Sequence, residues 1–157
     1  MQVSELVLLH NDSIQEKYLD QNGHMNVMWY THLFDKAAEA LFESIGCGTS
    51  YRETQGKSPF ALEQHTRYLA EMHLGDQIEI SARILGRSSK RIHFILFIMN
   101  TTTNQLAATG ELVGMHVDLS SRKPEPFPES VEKAIEDLLS KHRSLDWAAP
   151  VCGAMKA

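Results

Sequence analysis

The chain has 157 residues, about the size of one domain. Its 15 Lys and Arg residues against 20 Asp and Glu residues give a formal net charge of −5, which argues against a nucleic-acid partner because no excess of positive charge is available to neutralise phosphates. A hydrophobic fraction of 43% is enough for a folded core, and the apolar stretches fall short of the ~20 residues that a membrane-spanning helix needs.

The first residues and the cysteines indicate in which cellular compartment the protein folds and whether it binds a metal ion. The N-terminal segment lacks a positive leader and is interrupted by Glu5, so we expect no export signal. Cys47 and Cys152 are too few for a disulfide framework and are not spaced for metal, and the eight histidines form no H-E-x-x-H pattern. We therefore expect a reduced, cytoplasmic protein without a metal site and without a bound cofactor.

The first half of the chain predicts a strand, a polar loop and a long helix. The strand covers about residues 6–14, the loop covers residues 18–26, and the helix runs from about Val27 to Ile45. Gly46 is expected to end the helix in the left-handed conformation. Apolar residues recur at helical spacing and predict the buried side: Tyr30, Phe34, Ala37, Leu41 and Ile45. The polar side carries His32, Asp35, Lys36, Glu39 and Glu43.

From Pro59 onward the hydrophobic period changes to two, which predicts consecutive strands joined by short turns. They cover about residues 59–72, 78–84, 91–99 and 105–119. Gly110 and Gly114 lie inside the last strand and predict a bend or a close backbone approach. Pro128 begins a short amphipathic helix. We expect one domain over residues 1–145 and a tail over residues 146–157, for which no structure is predicted.

These elements predict an α+β fold in which an antiparallel sheet curls around the single long helix. One helix cannot cover both faces of such a sheet. The strand at residues 92–99 is apolar on both faces, so we expect its outer face to lie in a two-fold interface between subunits.

The loop before the long helix carries the candidate catalytic residues. Asp20, Asn22 and His24 immediately precede backbone amides that the first helical turn leaves unpaired. Those amides can hold a carbonyl oxygen that develops negative charge, with Asp20 as base or nucleophile and with Asn22 and His24 orienting water or the carboxylate. The alternative is that Asp20 or Asn26 only caps the helix and that His24 is an ordinary loop residue.

The segment Asp20-Gln-Asn-Gly-His-Met-Asn26, followed by Tyr30 and an apolar helix, resembles the signature of hotdog-fold thioesterases. The resemblance covers residues 5–120 and is closest to the 4-hydroxybenzoyl-CoA thioesterase-like branch. It implies a hotdog fold, with a five-stranded antiparallel sheet around the helix. It also implies an acyl-CoA hydrolase that forms a dimer or a dimer of dimers, with active sites where subunits meet.

The same resemblance implies roles for single residues. Asp20 matches the nucleophile or general base, and the amide that polarises the thioester lies within Asn26, Val27 and Met28. Asn22 and His24 match accessory positions of the acyl-carrier-protein thioesterases. Some hotdog enzymes place the carboxylate on the second strand or on the helix instead, which leaves Glu63 and Glu39 as alternatives to Asp20.

Two further groups are candidates for substrate contacts. The turn Arg87, Ser88, Ser89, Lys90 and Arg91 is basic and is predicted to bind the phosphates of coenzyme A, or else to be an ordinary polar hairpin tip. Met25, Trp29 and Tyr30 surround the start of the helix and either line an acyl pocket or pack in the core. The NGHMN segment also resembles the thioesterase module found with carnitine dehydrogenases, which implies betainyl-CoA as substrate and the Trp29 ring as a contact for its cation.

The leading functional hypothesis is therefore an acyl-CoA thioesterase. An acyl-carrier-protein thioesterase and a non-catalytic acyl-CoA sensor with the same pocket remain alternatives. Hydration chemistry is disfavoured, because His24-Met-Asn stands where the dehydratase branches carry their catalytic histidine loop.

Overall fold

The computed structural model describes residues 2–157 as three α-helices and one sheet of five strands. The helices are α1 Val27–Ser44, α2 Thr49–Gln55 and α3 Glu129–Arg143. The strands are β1 Leu8–Ser13, β2 Lys57–Tyr68, β3 Gln77–Arg87, β4 Arg91–Asn100 and β5 Gln105–Asp118. No helix in the described part of the chain is long and apolar enough to cross a membrane.

The sheet has the order β1-β3-β4-β5-β2, and every neighbouring pair is antiparallel. This arrangement wraps around α1 and confirms the predicted hotdog fold. β1 and β2 form the two edges. The contacts of α1 concentrate on β1 and β3, so the inner side of the β2 edge is left uncovered along a groove.

Local chemistry explains where α1 begins and ends. The Asn26 side chain caps the helix by accepting a hydrogen bond from the Met28 amide at 3.0 Å. Gly46 follows the last turn with φ +82°, the predicted left-handed conformation. A Cβ atom built on Gly110 would lie 2.9 Å from the Phe34 ring, so the absence of a side chain at this position lets the sheet approach the helix. The predicted close approach in β5 is confirmed.

The prediction that a subunit interface covers the outer face of β4 is wrong. Ile95 and Phe97 are fully buried within the single chain, because both ends of the chain fold over them. Val3 and Leu6 cover them from the N-terminal side, and Trp147 packs its ring edge-on at 5.8 Å from the Phe97 ring. β4 is therefore apolar on both faces because the N-terminal and C-terminal segments of the same chain cover its outer face.

The segment that performs this covering, residues 144–157, is here called the C-terminal strap. Arg83, which is buried on the outer face of β3, holds the strap by donating to the backbone carbonyl of Trp147 at 2.6 Å, and it also donates to the carbonyl of His142 at the end of α3 at 2.9 Å. The guanidinium carbon also lies 4.3 Å from the centre of the Trp147 ring. No structure was predicted for this segment, because these contacts join residues about 60 positions apart and leave no local pattern.

One helix was not predicted, and the bounds of one strand differ from expectation. α2 was not predicted, because its seven residues contain no buried side chain and therefore carry no amphipathic pattern. β2 begins at Lys57 and ends at Tyr68, earlier than residue 72, since Leu69 and Ala70 turn away and donate their amides to the Ala107 carbonyl.

Candidate active site

The loop of residues 19–26 folds back on itself beside the start of α1. Leu19 and Met25 form an antiparallel bridge, and the Asp20 amide donates to the His24 carbonyl at 3.0 Å. Gly23, at φ +82°, closes the turn between them. The Asn26 amide donates to the Tyr18 carbonyl at 2.9 Å, which fixes the loop against the residue that precedes it. The loop therefore holds Asp20 and His24 next to one another, close to the first helical turn.

The Asp20 carboxylate is half-buried and oriented by Asn22. Its Oδ1 accepts the Asn22 backbone amide at 2.8 Å, and its Oδ2 lies 3.4 Å from the Asn22 side-chain nitrogen. Nδ1 of the half-buried His24 ring lies 3.3 Å from the Met25 carbonyl oxygen. The structure thus brings together three of the predicted residues, with Asn22 acting on the carboxylate directly.

The three amides predicted to polarise a carbonyl differ in their hydrogen bonds. Asn26 donates to Tyr18 and Met28 donates to the Asn26 side chain, so both amides are already engaged. The Val27 amide donates to no group within residues 2–157. It lies at the positive end of the helix dipole, and the Val27 residue is 59% exposed. Val27 is therefore the amide that remains free to receive an oxygen atom.

A cavity of about 530 Å³ opens along α1 between this helix, α2 and the inner side of β2. It begins at Thr31, one helical turn or about 6 Å beyond Val27 on the same side of the helix. Its charged lining comprises Asp35, Glu39, Glu43, Arg52 and, when protonated, His32. Three carboxylates against one guanidinium make the cavity negative on balance.

The residues predicted for an acyl pocket lie mainly in the core. Met25 and Tyr30 are 1% and 4% exposed, whereas Trp29 is half-buried. The Trp29 ring lies 4.5 Å from the Tyr18 ring, and the Lys17 ammonium lies 5.2 Å from the Tyr18 ring centre and 5.8 Å from the Trp29 ring centre. Burial and the hydrogen bond to Asp12 raise the pKa of Tyr18 to about 12, so this ring stays neutral. The aromatic pair already has a cation beside it.

The two alternative carboxylates are placed differently from Asp20. Glu63 pairs with Val113 in the sheet register and therefore lies on the outer face, away from α1. Glu39 is on the cavity side of α1 and forms an exposed ion pair with Lys36 at 2.9 Å. Neither side chain is brought to the loop that carries Asp20.

The basic turn predicted to bind phosphates joins β3 to β4. Arg87 donates to Glu132 and Glu136 of α3, both at 3.0 Å, and so fastens α3 to the sheet. The Ser88 hydroxyl oxygen accepts the amides of Lys90 and Arg91, and Ser89 at the tip is exposed. Lys90 and Arg91 form no ion pair within the described residues.

The basic turn and the Asp20 loop lie at opposite ends of α1. Tyr30, in the first turn of α1, packs on Tyr68, which pairs with Ala108 of β5. Arg91 pairs with Met115 of the same strand. Seven residues of β5 separate these two points, a distance of about 23 Å.

Sequence reasoning missed the residues that line the cavity. His32 and Asp35 were interpreted only as the solvated side of α1, and Glu39 was considered only as an alternative to Asp20. The signal that could have found them is the mismatch between one helix and the width of a five-stranded sheet, which leaves the inner side of an edge strand uncovered.

Comparisons with known proteins agree with this arrangement. The family model of the thioesterase-like superfamily matches residues 14–135. The chain is similar to the betainyl-CoA thioesterase of Pseudomonas aeruginosa, with 29% identity over 143 residues that cover 91% of this chain and 90% of that protein. It is also 32% identical over 138 residues to the L-carnitine dehydrogenase/betainyl-CoA thioesterase of Rhizobium meliloti, of which it spans 28%.

A solved structure agrees over nearly the whole chain. It is the hypothetical protein SAV2348 from Staphylococcus aureus in complex with CoA, with a TM-score of 0.84 and 28% identity, and the match covers 91% of this chain and 90% of that one.

Proposed function

Because the chain belongs to the thioesterase-like superfamily and is a thioester hydrolase, we propose that it cleaves an acyl-CoA thioester with Asp20 as the catalytic carboxylate and the Val27 amide as the oxyanion donor. The observation that carries this proposal is the free Val27 amide beside a loop that holds a carboxylate. A helix N-terminus stabilises negative charge as it develops on the thioester oxygen.

Asp20 acts in one of two ways at this position. As a general base, its carboxylate takes a proton from a water molecule whose oxygen attacks the thioester carbon. As a nucleophile, it attacks the carbon itself and forms a mixed anhydride that water then hydrolyses. In both cases the carbonyl oxygen becomes an oxyanion held by the Val27 amide, and the carbon–sulfur bond breaks to release coenzyme A thiolate, which then takes up a proton. Asn22 keeps the carboxylate in one orientation throughout.

Substitution of Asp20 by Asn tests the catalytic role. Asn still accepts the Asn22 amide through its side-chain oxygen, so the loop keeps its conformation while the basic group is lost. We expect kcat to fall by about 10²–10⁴-fold with an unchanged melting temperature. Glu63→Gln is the matched control and should retain near wild-type turnover. Glu39→Gln should keep its kcat near the wild-type value and change only KM, because Glu39 lines the cavity. Full activity in the Asp20 variant together with loss of kcat in either of the other two variants would move the catalytic role to that carboxylate.

We propose that the complete site needs two copies of the chain. The Asp20 loop and the basic turn lie at opposite ends of α1 within one copy, beside positions of β5 that are about 23 Å apart. β2 is an edge strand of 12 residues, and its apolar side chains Phe60 and Leu62 are exposed by 37% and 47%. Pairing of this edge with a second copy would satisfy its free backbone groups and cover these side chains. Equilibrium sedimentation should show a dimer or a dimer of dimers, and a monomer with full activity would contradict this proposal.

For the acyl group, we propose a short cationic one of the betainyl type. The negative lining of the cavity favours positive charge. The similarity to betainyl-CoA thioesterases points the same way.

A pair of substrates of equal shape tests this choice. Betainyl-CoA and 3,3-dimethylbutyryl-CoA differ by a quaternary nitrogen in place of a quaternary carbon, so their comparison isolates the charge. We expect kcat/KM to favour betainyl-CoA by at least about tenfold, the equivalent of about 1.4 kcal/mol. Equal values would exclude recognition of the cation while leaving the hydrolase activity intact.

A further inference from the structure

Three side chains with metal-binding atoms meet on the outer face of the sheet, away from α1. They are His65 of the edge strand β2, Glu111 of β5 and Cys152 of the C-terminal strap. One nitrogen, one oxygen and the sulfur of these residues all lie within 4.8 Å of one another. His65 and Glu111 are direct partners in the β2–β5 register, and the strap brings Cys152 over them.

Glu111 is buried in this group and held by two hydrogen bonds. Its residue is 2% exposed, and Oε1 accepts His93 Nε2 at 2.8 Å while Oε2 accepts the Cys152 backbone amide at 2.6 Å. A buried carboxylate oriented by a histidine resembles the second shell that supports metal ligands.

We propose that His65, Glu111 and Cys152 form a zinc site. Imidazole nitrogen, carboxylate oxygen and thiolate sulfur are the three donor types that zinc takes in proteins, and the thiolate disfavours magnesium and calcium. Neighbouring ligands around a tetrahedral zinc ion lie about 3.3–3.8 Å apart, so movements of about 1 Å bring the three atoms into place. The His65 and Cys152 residues are exposed, which gives the ion an entry path and a water molecule as fourth ligand. Binding releases the thiol proton to solvent.

The bound zinc ion would link three parts of the fold. It would join the free edge strand, a central strand and the strap that covers Ile95 and Phe97. Because the three ligands face away from α1, the site is separate from the Asp20 loop. Zinc should therefore stabilise the folded chain and leave thioester hydrolysis unaffected, so the proposal stands independently of the catalytic one.

Cobalt and zinc titrations of the untagged, reduced and chelator-treated full chain test the site. Cobalt bound to Cys152 should give a thiolate-to-cobalt charge-transfer band together with the visible bands of tetrahedral cobalt, and one equivalent of zinc should remove both. Zinc should also raise the melting temperature. Cys152→Ala and His65→Ala should each weaken zinc binding by at least about 100-fold, since even outer-shell changes cost 10–100-fold. Both side chains are exposed, so neither variant disturbs the core.

His73→Ala is the matched control, because His73 is also exposed and lies 3.6 Å from a carboxylate, that of Glu71. Its zinc affinity should equal that of the wild type. The proposal is overturned if the charge-transfer band is absent, if Cys152→Ala binds zinc as tightly as the wild type, or if the His73 variant loses as much affinity as the His65 variant.

Discussion

The fold holds the ring of His142, near the end of α3, in its neutral form. Its ring is buried, with the residue 8% exposed, and its Nδ1 accepts the Ile84 amide of β3 at 2.8 Å. Burial, followed by the nearby positive charges of Arg83 and Lys141, lowers the pKa of His142 from 6.5 to about 4. The neutral ring is thus the form that the fold requires, since only a neutral Nδ1 can accept a hydrogen bond.

The sign of the pH effect follows from proton uptake. Below about pH 6.5 the unfolded chain protonates His142, whereas the folded chain resists protonation until about pH 4. The free energy of unfolding therefore falls as the pH is lowered through this window. Between about pH 7.5 and pH 5, the contribution of this one group amounts to at most about 2 kcal/mol.

His142→Asn isolates this contribution. The Asn side-chain oxygen occupies the position of Nδ1 and can accept the Ile84 amide, but it does not titrate. The smaller side chain lowers stability by a constant amount, so the informative quantity is the difference between the two proteins as a function of pH. Urea unfolding at steps between about pH 7.5 and pH 5 should show the wild type losing up to about 2 kcal/mol more than the variant. A difference that stays constant with pH, or an NMR titration of His142 near pH 6.5, would refute the reasoning.

Two further predictions address packing. Gly110→Ala places a methyl group 2.9 Å from the buried Phe34 ring and should lower the free energy of unfolding by about 1–3 kcal/mol. Gly86→Ala is the control and should be nearly neutral, because its Cβ would have no neighbour within 4 Å. Thermal melts compare the two variants, and equal melting temperatures would contradict the close approach of β5 to α1. Trp147→Ala removes the ring that packs on Phe97 and should lower the free energy of unfolding, measured in urea, by about 2–3 kcal/mol. Trp147→Phe should lower it less. An unchanged urea midpoint in Trp147→Ala would show that the strap does not stabilise the sheet.

Local patterns were sufficient for much of the fold. The alternation of Ile78, Ile80 and Ile84 predicted an inward strand face, and all three are buried. The helical spacing of α1 and the position of Gly46 depend on the conformation of neighbouring residues alone, so the helix was placed to within one residue. The loop of residues 19–26 was predicted as the functional segment for the same reason, since its residues are adjacent in sequence.

Other features of the fold depend on contacts between residues that are distant in sequence, and the spacing of hydrophobic residues does not reveal such contacts. The pattern of β4 indicated that both faces are covered, and only the tertiary structure decided that Trp147 and Val3 of the same chain, rather than a partner subunit, cover the outer one. The cavity beside Asp35 arises because α1 is narrower than the sheet. The approach of Cys152 to Glu111 depends on the path of the strap, which is held by hydrogen bonds to Arg83 and Glu111.

The sequence by itself determined the strands, the helices α1 and α3, the sheet that surrounds α1 and the position of the loop that carries Asp20, because each rests on short-range periodicity or on adjacent residues. Only the tertiary structure decided that Val27 is the unengaged amide, that Glu63 lies on the opposite face from Asp20, and that the ends of the chain close over β4. These outcomes depend on which acceptors take the backbone amides at the start of α1 and on the register of the strands. Both are decided by contacts between residues that are distant in sequence.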